Sequence, residues 1–152
     1  MEDACLDSDA LIEAYQAGIS RFSGLHTTCI SLYEFLRGLA YLKKDVGEYK
    51  THLESHLNVL GLDNQGIVQA SKIFGDLKRN GSLVQDPDLL IAGICIANSL
   101  PLVTGNAKHF ERFGKYGLAL RPLSEFMETV EREGSNGSSP QNSNKKYSGG
   151  RR

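Results

Sequence analysis

Tryptophan is absent from this 152-residue chain, and cysteine, proline and methionine are scarce, at three, four and two residues. Cys5, Cys29 and Cys95 are odd in number and far apart, which suits a reducing compartment better than a disulfide framework. There is no CxxC and no Cys/His cluster, so a structural zinc site is not expected. Long apolar runs are missing too. The longest, LLIAGICIA at 89–97, falls well short of the ~18 residues that suggest a membrane span. The acidic opening, Met1-Glu2-Asp3, leads into no basic segment and no apolar leader, so a cytoplasmic protein is expected. Nor is there an excess of positive charge. The formal net charge of −1 gives no bulk attraction for a phosphate polymer.

What charge there is lies unevenly. Residues 134–152, GSNGSSPQNSNKKYSGGRR, carry +4 and leave −5 on residues 1–133. That stretch has almost nothing to bury, so a disordered, basic Gly/Ser/Asn-rich tail is expected over 133–152, following one folded domain over 1–132. With 40% hydrophobic residues the folded part can bury a sizeable core.

Within it, short strand-like runs alternate with helical periodicity. Strands are expected at 3–6, at His26–Ile30, at Leu57–Leu62, at Pro101–Thr104 and at Gly117–Leu120. Helices are expected at about 8–19, from Ser31, at 46–57, from a cap at Asp63 through Asn80, from Asp86-Pro87 through Ala97, at 106–112, and from Pro122 to about 132. In the fourth of these, Ile67, Ala70, Ile73 and Leu77 form the apolar face. Strands separated by helices imply right-handed crossovers. The expected fold is α/β, with a central parallel sheet of four to five short strands between two helical layers. In such sheets ligands bind beyond the carboxyl ends of the strands, where strand order reverses.

Acidic residues gather there. Asp7 and Asp9 follow the first strand, Glu34 lies one helical turn after the second, and Asp86 and Asp88 open the buried helix. Thr104, Gly105 and Asn106 follow the fourth strand. Carboxylates converging without cations repel one another, and oxygen donors of this kind suit Mg²⁺ or Mn²⁺. Each acid also has a plainer role. Asp7 or Asp9 can cap the first helix, Ser31-x-x-Glu34 has the form of a capping box, and Asp86 before Pro87 has the form of an N-cap.

The stretches LDSDALI, TTCISLYEFLRG, DPDLLIAGICIANSLPLVTGNAKHF and ERFGKYGLAL occur in an order that resembles the PIN-domain ribonucleases, and among them the VapC toxins of VapBC-type toxin–antitoxin pairs. The resemblance covers about 4–127. It implies a three-layer α/β/α PIN-like fold and a Mg²⁺- or Mn²⁺-dependent endoribonuclease that hydrolyses RNA phosphodiesters. It further implies a toxin silenced by a cognate antitoxin, and a homodimer. Asp7, Glu34 and Asp88 match the family's metal-binding acids, with Asp9 as a cap or an auxiliary ligand. Thr104 matches its active-site hydroxyl. Family members carry a fourth acid where Asn106 or His109 stands here, so Asn106 is left to offer a carbonyl oxygen. Lys108, His109 and Arg112 are candidates for RNA backbone contact.

Other readings compete. LDSDAL also resembles the nucleophile strand of haloacid-dehalogenase-type phosphatases, but Thr104 comes after Asp86 and Asp88, the wrong order for that family. A receiver-like domain with Asp63 as acceptor lacks a suitably placed lysine, because Lys108 is too close behind Thr104. A catalytically weakened PIN-like module that binds RNA or protein is favoured by the uncharged Asn106 and by His109.

Overall fold

The computed structural model describes residues 1–137. Five short strands form one parallel sheet: β1 (Cys5–Leu6), β2 (His26–Thr28), β3 (Asn58–Leu60), β4 (Leu102–Thr104) and β5 (Leu120–Pro122), in the order β3-β2-β1-β4-β5. Registers such as Cys5 opposite both His26 and Leu102 place β1 at the centre. The helices are α1 (Ser8–Gly18), α2 (Cys29–Tyr41), α3 (Val46–Glu54), α4 (Asn64–Arg79), α5 (Asp86–Ala97), α6 (Ala107–Phe110) and α7 (Leu123–Asn136). Tight 3₁₀ turns at Ile19–Phe22 and Glu111–Tyr116 extend α1 and α6.

Strand alternation divides the core in two. Leu6 and Val103 point into one layer, with Leu11 of α1, Phe35 of α2, Leu53 of α3 and Phe126 of α7. Cys5 and Leu102 point into the other, with Ile73 of α4, Ile91 and Cys95 of α5, and Phe110 and Phe113. This is the expected three-layer α/β/α arrangement. From β1 the chain builds outward to β2 and β3, then returns to the other side of β1 for β4 and β5. The order therefore reverses between β1 and β4, and a ligand crevice belongs at their carboxyl ends.

Several boundaries differ from expectation for identifiable reasons. β2 ends at Thr28 rather than Ile30, because the Thr28 hydroxyl accepts from the Ser31 amide at 3.0 Å and caps α2 itself. β5 begins at Leu120, because Gly117 takes a φ of 104° to close the preceding 3₁₀ turn and so cannot belong to a strand. The cap of α5 is Gln85, which leaves Asp86 and Asp88 both in the first turn. The buried face of α4 is Gly66, Ala70, Ile73 and Leu77, whereas Ile67 is exposed. Gly93 of α5 fits that rotation: a Cβ there would lie 3.0 Å from both the Gly66 carbonyl and the Ala70 Cβ, so this face of α4 can pack closely on α5. α7 continues to Asn136, past the expected end at 132, carried by a Glu128–Arg132 pair and a Ser135 hydroxyl bonded to the Glu131 carbonyl. The expected tail otherwise lies largely outside the described residues.

Candidate active site

The crevice between β1 and β4 holds a buried carboxylate. Asp7 immediately follows β1 and is 6% exposed. One of its oxygens accepts from the Ser8 amide at 2.8 Å and lies 3.4 Å from the Ser31 hydroxyl. The other accepts from the Thr104 hydroxyl at 3.0 Å. Thr104 in turn accepts from the Asn106 amide, and Thr28 donates to Ser31 at 3.1 Å. The Ser31 hydroxyl in the first turn of α2 and the Thr104 hydroxyl at the end of β4 thus fix Asp7 from both sides.

Asp9 does something else. Its carboxylate accepts from the Ala10 amide and, across the crevice, from the Gly105 amide at 2.8 Å. A Cβ on Gly105 would stand 2.7 Å from that Asp9 oxygen, so only glycine permits the close approach. The division between the two aspartates is therefore not metal ligand against helix cap. Asp7 caps α1 and occupies the centre, and Asp9 ties α1 to the loop after β4.

Glu34 is free of the capping role expected for it, because the α2 cap lies at Thr28 and Ser31 is buried against Asp7. Its side chain is instead 3.7 Å from Arg37, whose guanidinium also covers the Tyr33 ring. Asp88 in the first turn of α5 lies 3.4 Å from Nδ1 of His109. Lys108 and Asn106 are exposed beside it. Arg112 is engaged elsewhere: it donates to the Leu83 carbonyl and stacks on Phe113, bracing the loop before α5 rather than standing open to a polymer backbone.

Electrostatics tie these segments together. Burial raises the Asp7 carboxyl to about 6, opposed by the Ser8 and Thr104 hydrogen bonds and reinforced by the nearby charges of Asp9 and Glu34. Glu34 is also raised, first by burial; Arg37 opposes the shift, and Asp88 and Asp9 reinforce it. Acids as far apart in sequence as Glu34 and Asp88, 54 positions, therefore feel one another at one sheet edge. A depression of about 350 Å³ lined by Glu13, Thr104, Gly105, Pro122 and Leu123 adjoins them. A larger open cavity of about 790 Å³, lined by Tyr15, Tyr49, His52 and Ser55, lies off the strand ends and contains none of the four converging acids.

Sequence reasoning did not find Ser31 as part of this centre, and it set Gly105 at the strand end without a role. Ser31 was hidden by its resemblance to a cap. Gly105 carries no chemistry of its own, and only the β1–β4 adjacency reveals why it must lack a side chain.

Residues 3–116 match the family model described as PIN domain. Over 116 residues the chain is 31% identical to Ribonuclease VapC1 of Methanocaldococcus jannaschii, covering 76% of this chain and 84% of that protein. Among solved structures, VapBC-1 from nontypeable Haemophilus influenzae shares the fold with a TM-score of 0.64 at 21% identity, over 81% of this chain and 99% of that one. DNA-bound VapBC from Salmonella typhimurium gives a TM-score of 0.63 at 25% identity, over 81% and 99%. The sheet order, the acids at its switch point and these likenesses agree: the chain belongs to the PIN-domain family and is similar to its VapC ribonucleases.

Proposed function

We propose that this chain is a divalent-metal-dependent endoribonuclease and the toxin of a toxin–antitoxin pair. The observation that carries the reading is the convergence of Asp7, Glu34 and Asp88, from three separate segments, beside the Thr104 hydroxyl at the β1/β4 switch point. The curated relative from M. jannaschii, a ribonuclease by name, supports RNA as the substrate.

The donor set fits a hard dication of a particular kind. Among the described residues no three acid, histidine or cysteine side chains stand close enough to grip one ion together. Mg²⁺ and its analogues commonly keep several waters and use only one or two carboxylates directly. Asp7, Glu34 and Asp88 would hold such an ion, partly through water, with the Asn106 side-chain carbonyl and Asp9 at the margin. When bound, the ion offsets phosphate charge and acidifies the attacking water. The chain's own residues do the rest. Thr104 and Ser31 fix the direction of the Asp7 carboxylate, the Asp9–Gly105 contact fixes the loop that carries Asn106, and the exposed Lys108 is the candidate for a phosphate contact.

An apolar groove of about 500 Å³ runs between α2 and α3, lined by Leu32, Tyr33, Leu36, Ala40, Val46 and Val59, and Arg37 also lines it. Arg37 is the residue that touches Glu34. A segment of an antitoxin lying in this groove reaches the acids without crossing the sheet, and the solved VapBC complexes support a partner of that class. The phosphatase reading is disfavoured by Asp9, whose carboxylate is committed to two backbone amides and is poorly placed to exchange protons.

Cleavage of a panel of structured and single-stranded RNAs with Mg²⁺ or Mn²⁺ tests the assignment. Wild type is expected to cut, and Asp7→Asn, Glu34→Gln and Asp88→Asn to lose about 10²-fold or more in rate, the scale of removing preorganised electrostatic stabilisation. Cleavage no better than background by wild type and variants alike would refute the enzyme reading in favour of a binding module.

A further inference from the structure

The depression beside the acids has features that the metal-dependent reading leaves unused. At about 350 Å³ it falls within the range of small-molecule pockets. Thr104, whose hydroxyl bonds Asp7 at 3.0 Å, is part of its lining, so the depression adjoins the centre directly. Gly105 leaves one wall without a side chain, and a Cβ there would come 3.4 Å from Cδ2 of Leu123. Leu123 and Pro122 add apolar surface, and Ser124 adds a hydroxyl. No side chain caps the amides that open α7 at this point.

Among the described residues that line the depression, Glu13 is the one that carries charge. Six residues of α1, a rise of about 9 Å, separate it from Asp7. Glu13 is exposed, and the described ion pairs leave it out: Arg37 stands by Glu34, and Arg121, next to Pro122 on β5, stands by Glu2. An unpaired carboxylate repels a phosphate and favours N–H donors. The opposite wall, with the Ser124 hydroxyl and the uncapped amides of α7, favours an acceptor.

We propose, resting on the ribonuclease reading above, that the depression is a guanine subsite for a nucleotide flanking the cut, with Glu13 as its specificity-determining residue. Single-stranded RNA is read through splayed bases, stacked on side chains and bonded along their Watson–Crick edges. Guanine presents two adjacent donors there, N1–H and the N2 amino group, which match the two oxygens of one carboxylate. Its O6 beside them accepts. Adenine and cytosine set their amino group next to a bare ring nitrogen, and uracil sets its one N–H between two carbonyls. Each of those three turns at least one acceptor toward Glu13.

A pool of randomised single-stranded RNA, cut by the full-length protein with Mg²⁺ and sequenced at the product ends, tests the subsite. Wild type is expected to place guanine at one fixed position beside the cut. Glu13→Gln turns a side-chain N–H toward the base and should reduce that preference about 5–150-fold, the range for a bidentate base contact. A second arm needs no cleavage. On an Asp7→Asn background, a short oligouridine carrying one guanosine should bind more tightly than the same strand carrying inosine, which lacks the N2 amino group. Adding Glu13→Gln should erase that difference, and an unchanged melting temperature, expected for an exposed side chain, separates recognition from folding. No guanine preference in wild type, a preference that survives Glu13→Gln, or equal binding of the guanosine and inosine strands overturns the subsite. If wild type cuts no RNA with Mg²⁺ or Mn²⁺ while the guanosine strand still binds more tightly, the ribonuclease reading falls and the subsite stands.

Discussion

At the scale of single residues, Asp7 illustrates how a centre of this kind is held in a conformation that the free protein resists. Its carboxyl titrates near 6, above the ordinary value of 3.8, mainly because burial disfavours the anion. The sign follows from linkage. A carboxylate whose folded pKa is raised binds protons more tightly when folded, so its contribution favours the fold below about pH 4. That contribution is lost as pH rises through about 6, after which the buried charge opposes folding. The scale is on the order of 2–3 kcal/mol at pH 7.5, a net figure that already includes what the Ser8 and Thr104 hydrogen bonds return. Asp7→Asn is therefore expected to stabilise the metal-free protein by about 1–2 kcal/mol at pH 7.5 while abolishing cleavage. The difference should vanish near pH 4. Urea unfolding in chelator at the two pH values checks it, and a variant no more stable than wild type at pH 7.5 would show that the charge is not strained.

At the scale of elements, the centre depends on how helix and strand ends are finished. Thr28 ends β2, caps α2 and donates to Ser31, so one side chain fixes both the start of the helix carrying Glu34 and a partner of Asp7. Thr28→Val keeps the shape and loses the cap, which should cost about 1 kcal/mol of stability and lower the cleavage rate. Gly105→Ala acts at the opposite wall. Its Cβ would press on the Asp9 carboxylate at 2.7 Å, and that flexible side chain must swing away and release the β4 loop. A loss of about tenfold or more in rate with little change in melting temperature is expected, since small misplacements of a catalytic group are costly. These details also mark how far the sequence could be read. Asp7 and Asp88 stood out as candidates because one follows an apolar strand and the other heads an apolar helix at the same sheet edge, although each position also has an ordinary use, Asp7 as the cap of α1. Ser31-x-x-Glu34 misled because Thr28-x-x-Ser31 has an equally good capping geometry three residues earlier, and local pattern cannot choose between them. The Asp9–Gly105 contact was beyond local pattern altogether, because it exists only once β1 and β4 are neighbours. The α4 face was displaced for a similar reason: hydrophobicity selected Ile67, but the face that packs closely on Gly93 is the one through Gly66 and Ala70.

At the scale of the whole molecule, the acids of three segments destabilise the same sheet edge, so one ion should act on the stability of the entire domain. A ligand that binds only the folded state adds about 2.7 kcal/mol at a concentration 100 times its dissociation constant. For a chain of this size that corresponds to a rise of roughly 5–10 °C in melting temperature. On the proposed metal-dependent reading, protons compete with the ion for Asp7. One pH unit below the Asp7 value of about 6, the ion must displace a proton, and its apparent affinity falls roughly tenfold, or about 1.4 kcal/mol. The gain in melting temperature at fixed Mn²⁺ should therefore shrink by about half between pH 7.5 and pH 5, and chelator should remove it at both. Asp7→Asn, which has no proton to exchange there and a weaker ligand to offer, should show a small gain with little pH dependence. Scanning calorimetry of the two proteins across that range makes the comparison. A wild-type gain that is independent of pH would mean that the ion stabilises the fold somewhere other than at the strand ends of β1 and β4.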